Sequence, residues 1–344
     1  MAVRLSRRGI SKGLKLFVLL SILGFAFVFY VTGSRRTISA FGSFRLEYIW
    51  LLLLLVLGDY VLGTFRIYIF ARRINSGGSF RNCFRANLAN IFMAAVTPFQ
   101  TGGGIAQIYI LNRSGVSVSG ALSVSIVNFI ATLGILLAAV IFLIKSTSKE
   151  ITGVPFKFVV SLSSFLFYFA FGLFLFFTIR PTVFTQVVAR IGTWLRVVRR
   201  RGHTDGGRHE LTRKLLELVD QYQRYMGYYW REAKGALILN LILTAVLYFN
   251  KCMVAYVVLL GMGVHAPVWR VVSVSLLIIF LLYFAPTPGA SLVAETSASA
   301  LMSVFVPSHM LMVFTFLWRS FGTYLGVALG GFILLKELAS EVKG

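Results

Sequence analysis

Apolar runs long enough to cross a bilayer alternate along this chain with short polar connections. A spanning helix needs roughly 20 residues, predominantly apolar. By that measure the pattern predicts six spanning helices, over about 14–31, 46–71, 117–144, 156–179, 235–261 and 310–335. Two further apolar segments do not fit it. The first, about 86–111, has an arm from Asn87 to Val96, a break at Thr97-Pro98-Phe99-Gln100-Thr101-Gly102-Gly103-Gly104, and a second arm from Ile105 to Leu111. The second, about 269–306, runs from Trp269 to Ala285, breaks at Pro286-Thr287-Pro288-Gly289-Ala290-Ser291, and resumes from Leu292 to Val306. Proline removes an N–H and clashes with the preceding turn, and glycine loosens the chain, so neither helix continues through its break. In a bilayer the freed backbone groups need partners, which puts such breaks inside protein or against a wet cavity.

The order of elements then repeats. Two spans, a broken hairpin and one more span occur first over about 14–145 and again over 156–179 with 235–335. Counting crossings, the first set starts in the cytoplasm with its hairpin opening there, and the second starts and opens outside. The expected fold is an all-α polytopic membrane protein with a single integral membrane domain. It has six transmembrane helices plus two re-entrant or broken helical hairpins (the pattern also allows fully spanning ones) in an inverted repeat. Inverted repeats whose broken helices meet near the midplane recur in transporters.

Composition agrees: 58% of residues are hydrophobic and only 13% charged. The net charge of +23 comes from 34 Lys and Arg against 11 Asp and Glu. These cations sit between apolar runs, which points to the positive-inside bias and anionic lipid headgroups and away from nucleic acid. Arg4, Arg7, Arg8, Lys12 and Lys15 precede a first helix read as retained, with its basic end in the cytoplasm. The helix count returns the C-terminus to that side, with Lys336, Glu337, Glu341 and Lys343 as a tail. The expected location is therefore the cytoplasmic membrane, multi-pass, with both termini cytoplasmic. The longest polar segment, 180–234, reads as a basic cytoplasmic loop. Within it Leu215, Leu218, Val219, Tyr222, Tyr225, Met226 and Tyr229 recur at helical spacing, as in an amphipathic helix at headgroup level. Such a loop could hold anionic lipid or dock a partner enzyme.

Catalytic signatures are missing. Gly102-Gly103-Gly104 has no following Lys-Ser/Thr, so it is no phosphate-binding loop, and no nucleophile elbow occurs. Cys83, Cys252 and four scattered histidines give neither a disulfide framework nor a metal-ligand spacing. No catalytic residue, cofactor or metal is expected.

Ionisable residues inside spans are expensive and default to functional candidates. Asp59, Arg66, Lys251, Glu295 and Arg319 are such residues. They could neutralise one another as buried pairs that hold the bundle together. Alternatively, the cations form a pocket for a phosphate or other anion, with Asp59 and Glu295 as counter-ions or proton carriers. In that second reading Arg319→Ala and Glu295→Gln impair transport without unfolding the protein. Around the breaks, Gln100, Thr101, Gln107, Thr287 and Ser291 could line a cavity, and Gly102 and Gly103 allow close backbone approach. Thr97, Pro98, Pro286, Pro288 and Gly289 shape the breaks themselves. Asn128 and Asn240 suit interhelical hydrogen bonds.

At these same residues the chain resembles a known family. Thr97-Pro98-Phe99-Gln100-Thr101-Gly102-Gly103 with Ala106-Gln107-Ile108-Tyr109-Ile110-Leu111 and Gly115 looks like the first signature of the flippase-like membrane domain of lysylphosphatidylglycerol synthases. Pro286-Thr287-Pro288-Gly289-Ala290-Ser291 with Ala294-Glu295 looks like the second, and Trp318-Arg319 followed by Tyr324 like the third. Asp59 and Arg66 fall where the family tends to carry an acid and an arginine. Ala290 and Leu292 depart from a second signature that is usually richer in glycine. The resemblance implies translocation of a lipid, an anionic phospholipid or a polyisoprenyl-phosphate-linked one, without lipid synthesis in the same chain. The partners it implies are membrane lipids and a soluble or membrane-bound lipid-modifying enzyme. A secondary transporter of a small soluble anion and a membrane subunit of a lipid-modifying transferase are the alternatives.

Overall fold

The computed structural model describes residues 6–74, 77–147, 206–283 and 285–340, with isolated helical positions at 172 and 176. The predicted span at 156–179 and the first part of the basic loop lie outside the described residues. Among the described residues every regular element is helical. In chain order these are α1 (Arg7–Thr32), α2 (Arg35–Gly42), α3 (Glu47–Ala71), α4 (Phe80–Val96), α5 (Gly102–Arg113), α6 (Val118–Thr147), α7 (Gly206–Arg231), α8 (Lys234–Gly261), α9 (Val268–Tyr283), α10 (Val293–Met302), α11 (Ser308–Arg319) and α12 (Leu325–Ser340). Among the described residues five segments are long and apolar enough to span a membrane: most of α1, α3, the first part of α6, α8, and α11 continued by α12. They coincide with five of the six predicted spans.

Four details differ from expectation. The stretch 32–45 carries the short helix α2, because the Thr37 hydroxyl turns back to accept from the Ser34 N–H at 3.0 Å and closes its first turn. The arm α4 starts at Phe80, six residues before the expected hairpin. Ser79 caps it, and the side chains of Cys83 and Ala86 are buried. The last span is interrupted by a π-helical turn at Ser320–Tyr324 and then continues to Ser340, so Lys336 and Glu337 are helical and not tail. Part of the apolar face of α7 packs on the bundle. Tyr222, Met226 and Tyr229 are buried against protein, with Ser119 Oγ donating to Gln221 at 3.0 Å and Tyr229 stacked edge-on to Phe70. Burial pushes the Tyr229 phenol up to about 12.

Close backbone approach organises the bundle, as expected where small residues replace the hydrophobic effect between helices. Helices α3 and α8 cross closely, and Asn250 Nδ2 donates to the Leu55 carbonyl at 2.8 Å. Helix α12 lies on α4 through Gly326 and Gly330, a Gly-x-x-x-Gly pair. Helix α1 passes over the second break, where Gly24 leaves room for the Glu295 carboxylate. At the open end of the α4–α5 hairpin, Arg85 and Arg113 both hold Glu337 near the end of α12.

A Cβ on Gly330 would lie 2.1 Å from the Leu88 carbonyl oxygen, whereas one on Gly134 of α6 meets nothing within 4 Å. Gly330→Val should therefore lower the unfolding temperature of the purified protein sharply, and Gly134→Ala should leave it unchanged or raise it slightly, since alanine is favoured over glycine in a helix by about 1 kcal/mol. Thermal unfolding in detergent, read by loss of monodispersity, checks both.

Candidate functional site

The two breaks fold into the same turn. Thr97 and Thr287 are extended, and each is followed by proline in a short 3-10 turn. Phe99 (φ 51°, ψ 20°) and Gly289 (φ 58°, ψ 21°) then take up the left-handed region, followed by Gln100 (φ 57°) and Ala290 (φ 54°). In both, the fourth residue donates its N–H to the threonine carbonyl, and the fifth donates to the proline carbonyl. The chain then diverges. Thr101 continues into α5, while the second break adds Leu292 at φ 71° before α10 begins. Phe99, Gln100, Ala290 and Leu292 are the only non-glycine residues with positive φ among the described residues, and all four sit at the tips. Such strain persists only where surrounding structure imposes it, and it clusters at functional sites.

The tips meet. Gln100 Nε2 reaches the Leu282 carbonyl at 3.4 Å, and a Cβ on Gly289 would lie 2.9 Å from the Ala95 carbonyl oxygen.

Arg319, at the end of α11, holds the second tip. Its Nε donates to Glu295 Oε1 at 2.9 Å, Nη2 reaches the Gly289 carbonyl at 3.3 Å and Ser291 Oγ at 3.5 Å, and Nη1 reaches Thr323 Oγ1 at 3.3 Å. The other carboxylate oxygen, Oε2, accepts from the Leu292 N–H at 2.6 Å and caps α10. Tyr324 OH donates to Glu295 Oε1 at 3.3 Å, and the Arg319 guanidinium lies 5.2 Å from the Tyr324 ring centre. Both charged side chains are fully buried. The pair is thus closed, with backbone and hydroxyl partners around it.

A second pair joins α3 and α8. Lys251 Nζ lies 2.7 Å and 3.0 Å from the two oxygens of Asp59. One turn away, the hydroxyls of Tyr248 and Tyr283 share a hydrogen bond of 2.6 Å. Arg66 differs from the other four charges. It is 8% exposed, and its partners are all neutral. Nε donates to Asn240 Oδ1 at 3.3 Å, and Nη2 to the Asn128 carbonyl at 2.6 Å and to Thr132 Oγ1 at 2.9 Å.

Two cavities share a wall whose polar members are Asp59, Asn90, Gln100, Tyr248, Lys251 and Tyr283, with Ile91 and Ala94 between them. The smaller, about 260 Å³, extends to Gly289, Trp318 and Arg319 beside the second tip. The larger, about 670 Å³, extends between α5 and α6 and reaches Arg66, Gln107 and Asn128. Phe99, Ile105 and Phe129 at its margin are 55%, 48% and 41% exposed.

Of the residues singled out in the sequence, Asp59, Arg66, Gln100, Thr101, Gln107, Lys251, Gly289 and Arg319 line one or both cavities. Thr97, Pro98, Gly102, Gly103, Pro286, Thr287, Pro288, Ser291, Glu295 and Tyr324 line neither. Thr97 Oγ1 accepts from the Gly102 N–H at 2.8 Å, and a Cβ on Gly103 would meet Asn90 Oδ1 at 2.6 Å, so these residues close the first hairpin. Thr287 Oγ1 donates to the Ser291 carbonyl at 2.8 Å and closes the second. The expected single cationic pocket of Lys251, Arg319 and Arg66 is divided into two neutralised pairs and one arginine that has no carboxylate partner among the described residues. Tyr60, Asn90, Tyr248 and Tyr283 line the cavities and carry no sequence signal. A tyrosine in an apolar run reads the same whether it faces lipid or a cavity.

Broken helices whose tips meet beside a charged cavity define a polytopic helical membrane protein with a buried polar centre. A family model described as the lysylphosphatidylglycerol synthase TM region matches residues 14–330, and the chain belongs to that family. It is also 25% identical over 311 residues to a UPF0104 membrane protein of Archaeoglobus fulgidus, covering 88% of this chain and 90% of the relative.

The geometry revises what substitution at the Glu295–Arg319 pair should do. Removing one partner leaves a buried charge uncompensated, which costs about 3–5 kcal/mol. Glu295→Gln should therefore lower the unfolding temperature of the purified protein, and Glu295→Leu combined with Arg319→Met should recover part of the loss. An unchanged unfolding temperature in Glu295→Gln would point back to a role confined to transport.

Proposed function

We propose that this protein moves an anionic lipid between the leaflets of the cytoplasmic membrane. The headgroup passes through the shared cavities while the acyl chains stay in the bilayer. The observation that carries this reading is the contrast within the larger cavity. Its buried and half-buried lining includes Asp59, Arg66, Lys251, Gln100 and Gln107, whereas its exposed lining is Phe99, Ile105 and Phe129 with one polar residue, Thr101. A soluble anion entering from water is better served by a polar mouth; a mostly apolar mouth on a polar interior suits an amphiphile that enters sideways from the hydrocarbon.

The inverted repeat belongs to the same reading. The matching turns at the two tips, and the crossing of α3 with α8, are what two copies related by an axis in the membrane plane would produce. The open end of the first hairpin, with Arg81, Arg85, Arg113 and nearby Lys336, is assigned to the cytoplasm by the bias of basic residues toward that side. Both termini fall there as well. The contact between the tips, with Gln100 against Leu282, is then the barrier that parts when the headgroup crosses.

Proteoliposomes carrying a trace of fluorescent phosphatidylglycerol test the reading. Addition of dithionite should bleach the inner-leaflet probe faster than in empty vesicles. If no lipid class is accelerated, while a soluble anion is taken up saturably, the lipid reading fails.

A further inference from the structure

Among the described residues the charges of the larger cavity do not balance. Two cations, Arg66 and Lys251, face one carboxylate, Asp59, and that carboxylate is already held by Lys251. A guanidinium carries five N–H donors. Those on Nε and Nη2 are used on neutral oxygens, and Nη1 makes no hydrogen bond among the described residues. An uncompensated charge at membrane depth is costly, and a bound counter-ion removes that cost. Beside it stands a second unsatisfied group. Asn128, 9% exposed, has neither a donor nor an acceptor partner for its side-chain amide, and it lines the same cavity. A buried amide without partners is rare and calls for a ligand or water. A free pair of N–H groups on Arg66 next to a free amide on Asn128 is what a tetrahedral anion with several acceptor oxygens requires.

We infer that Arg66, assisted by the side chain of Asn128, binds a singly charged phosphodiester, and that Arg319 does not bind the substrate. The charge count sets the class: one unmatched positive charge accommodates one negative charge, which favours a phosphodiester over a diphosphate. Arg319 is excluded because Glu295 already neutralises it. This inference rests on the lipid reading for the source of the phosphodiester. The same chemistry could come from a free headgroup or inorganic phosphate.

Native mass spectrometry of the full chain, with phosphatidylglycerol, diacylglycerol, a polyprenyl diphosphate, glycerophosphoglycerol and inorganic phosphate as probes, tests it. Phosphatidylglycerol should be retained, diacylglycerol should not, and the diphosphate should bind more weakly. Arg66→Gln should weaken phosphatidylglycerol by about tenfold or more, with Arg66→Lys partly restoring it. Asn128→Asp gives Arg66 a counter-ion within the protein, so it should raise the unfolding temperature while abolishing lipid retention. Retention unchanged in both Arg66→Gln and Asn128→Asp overturns the site, leaving a water-filled cavity only. Tighter binding of the diphosphate overturns the charge count. Binding of inorganic phosphate or glycerophosphoglycerol that equals the lipid and depends on Arg66 keeps the site but removes the lipid as its source. Failure of the bleaching assay alone removes the lipid reading and leaves the anion site standing.

Discussion

A helix that breaks within a membrane must find partners for its freed backbone groups, and in this protein one ion pair supplies them. Arg319 satisfies the Gly289 carbonyl while Glu295 caps the Leu292 N–H, so the two residues that neutralise each other also close both sides of the second break. The first tip needs no such pair. Its turn runs directly into α5, with Thr97 and Gly102 closing it through a hydroxyl and a backbone N–H. The second tip has one more residue, and Leu292 at φ 71° leaves an N–H that only a side chain can reach. The π-helical turn that follows Arg319 brings Thr323 and Tyr324 round to the same pair.

This assigns different work to charges that look alike. Glu295 and Arg319 build the tip, Asp59 and Lys251 tie α3 to α8 beside the shared wall, and Arg66 lines the larger cavity with no carboxylate partner among the described residues. Buried pairs stabilise a fold poorly compared with apolar packing. Their presence here follows from geometry: a carboxylate and a guanidinium can reach backbone groups that apolar side chains cannot satisfy. The strained turns fit the same logic. Ala290 and Leu292 occupy positions where glycine would be relaxed, and the packed tips hold them there.

Much of the architecture was legible in the pattern of apolar residues. Five predicted spans and both breaks coincide with observed elements, because a bilayer demands long apolar runs and because proline and glycine mark where helices cannot continue. Legibility failed where small or charged residues hide a buried helix face. The apolar pattern places the start of the first hairpin near position 86, since Arg81 and Arg85 precede the apolar run. In the structure that stretch is helical, with Arg85 drawn to Glu337. On the apolar face of α7, Tyr222, Met226 and Tyr229 pack against protein, a contact that helical spacing alone does not distinguish from a lipid surface.

The sequence by itself determined the class of protein, the positions of the breaks and the five charges of the interior, since each follows from local composition and spacing. Which charge faces which was decided only by the tertiary structure. Arg66 and Arg319 are alike as residues in apolar helices. One meets Glu295, 24 positions away, and the other meets neutral oxygens from α6 and α8, because helix crossing and backbone approach set those distances. The same packing brought the two tips together from opposite ends of the chain.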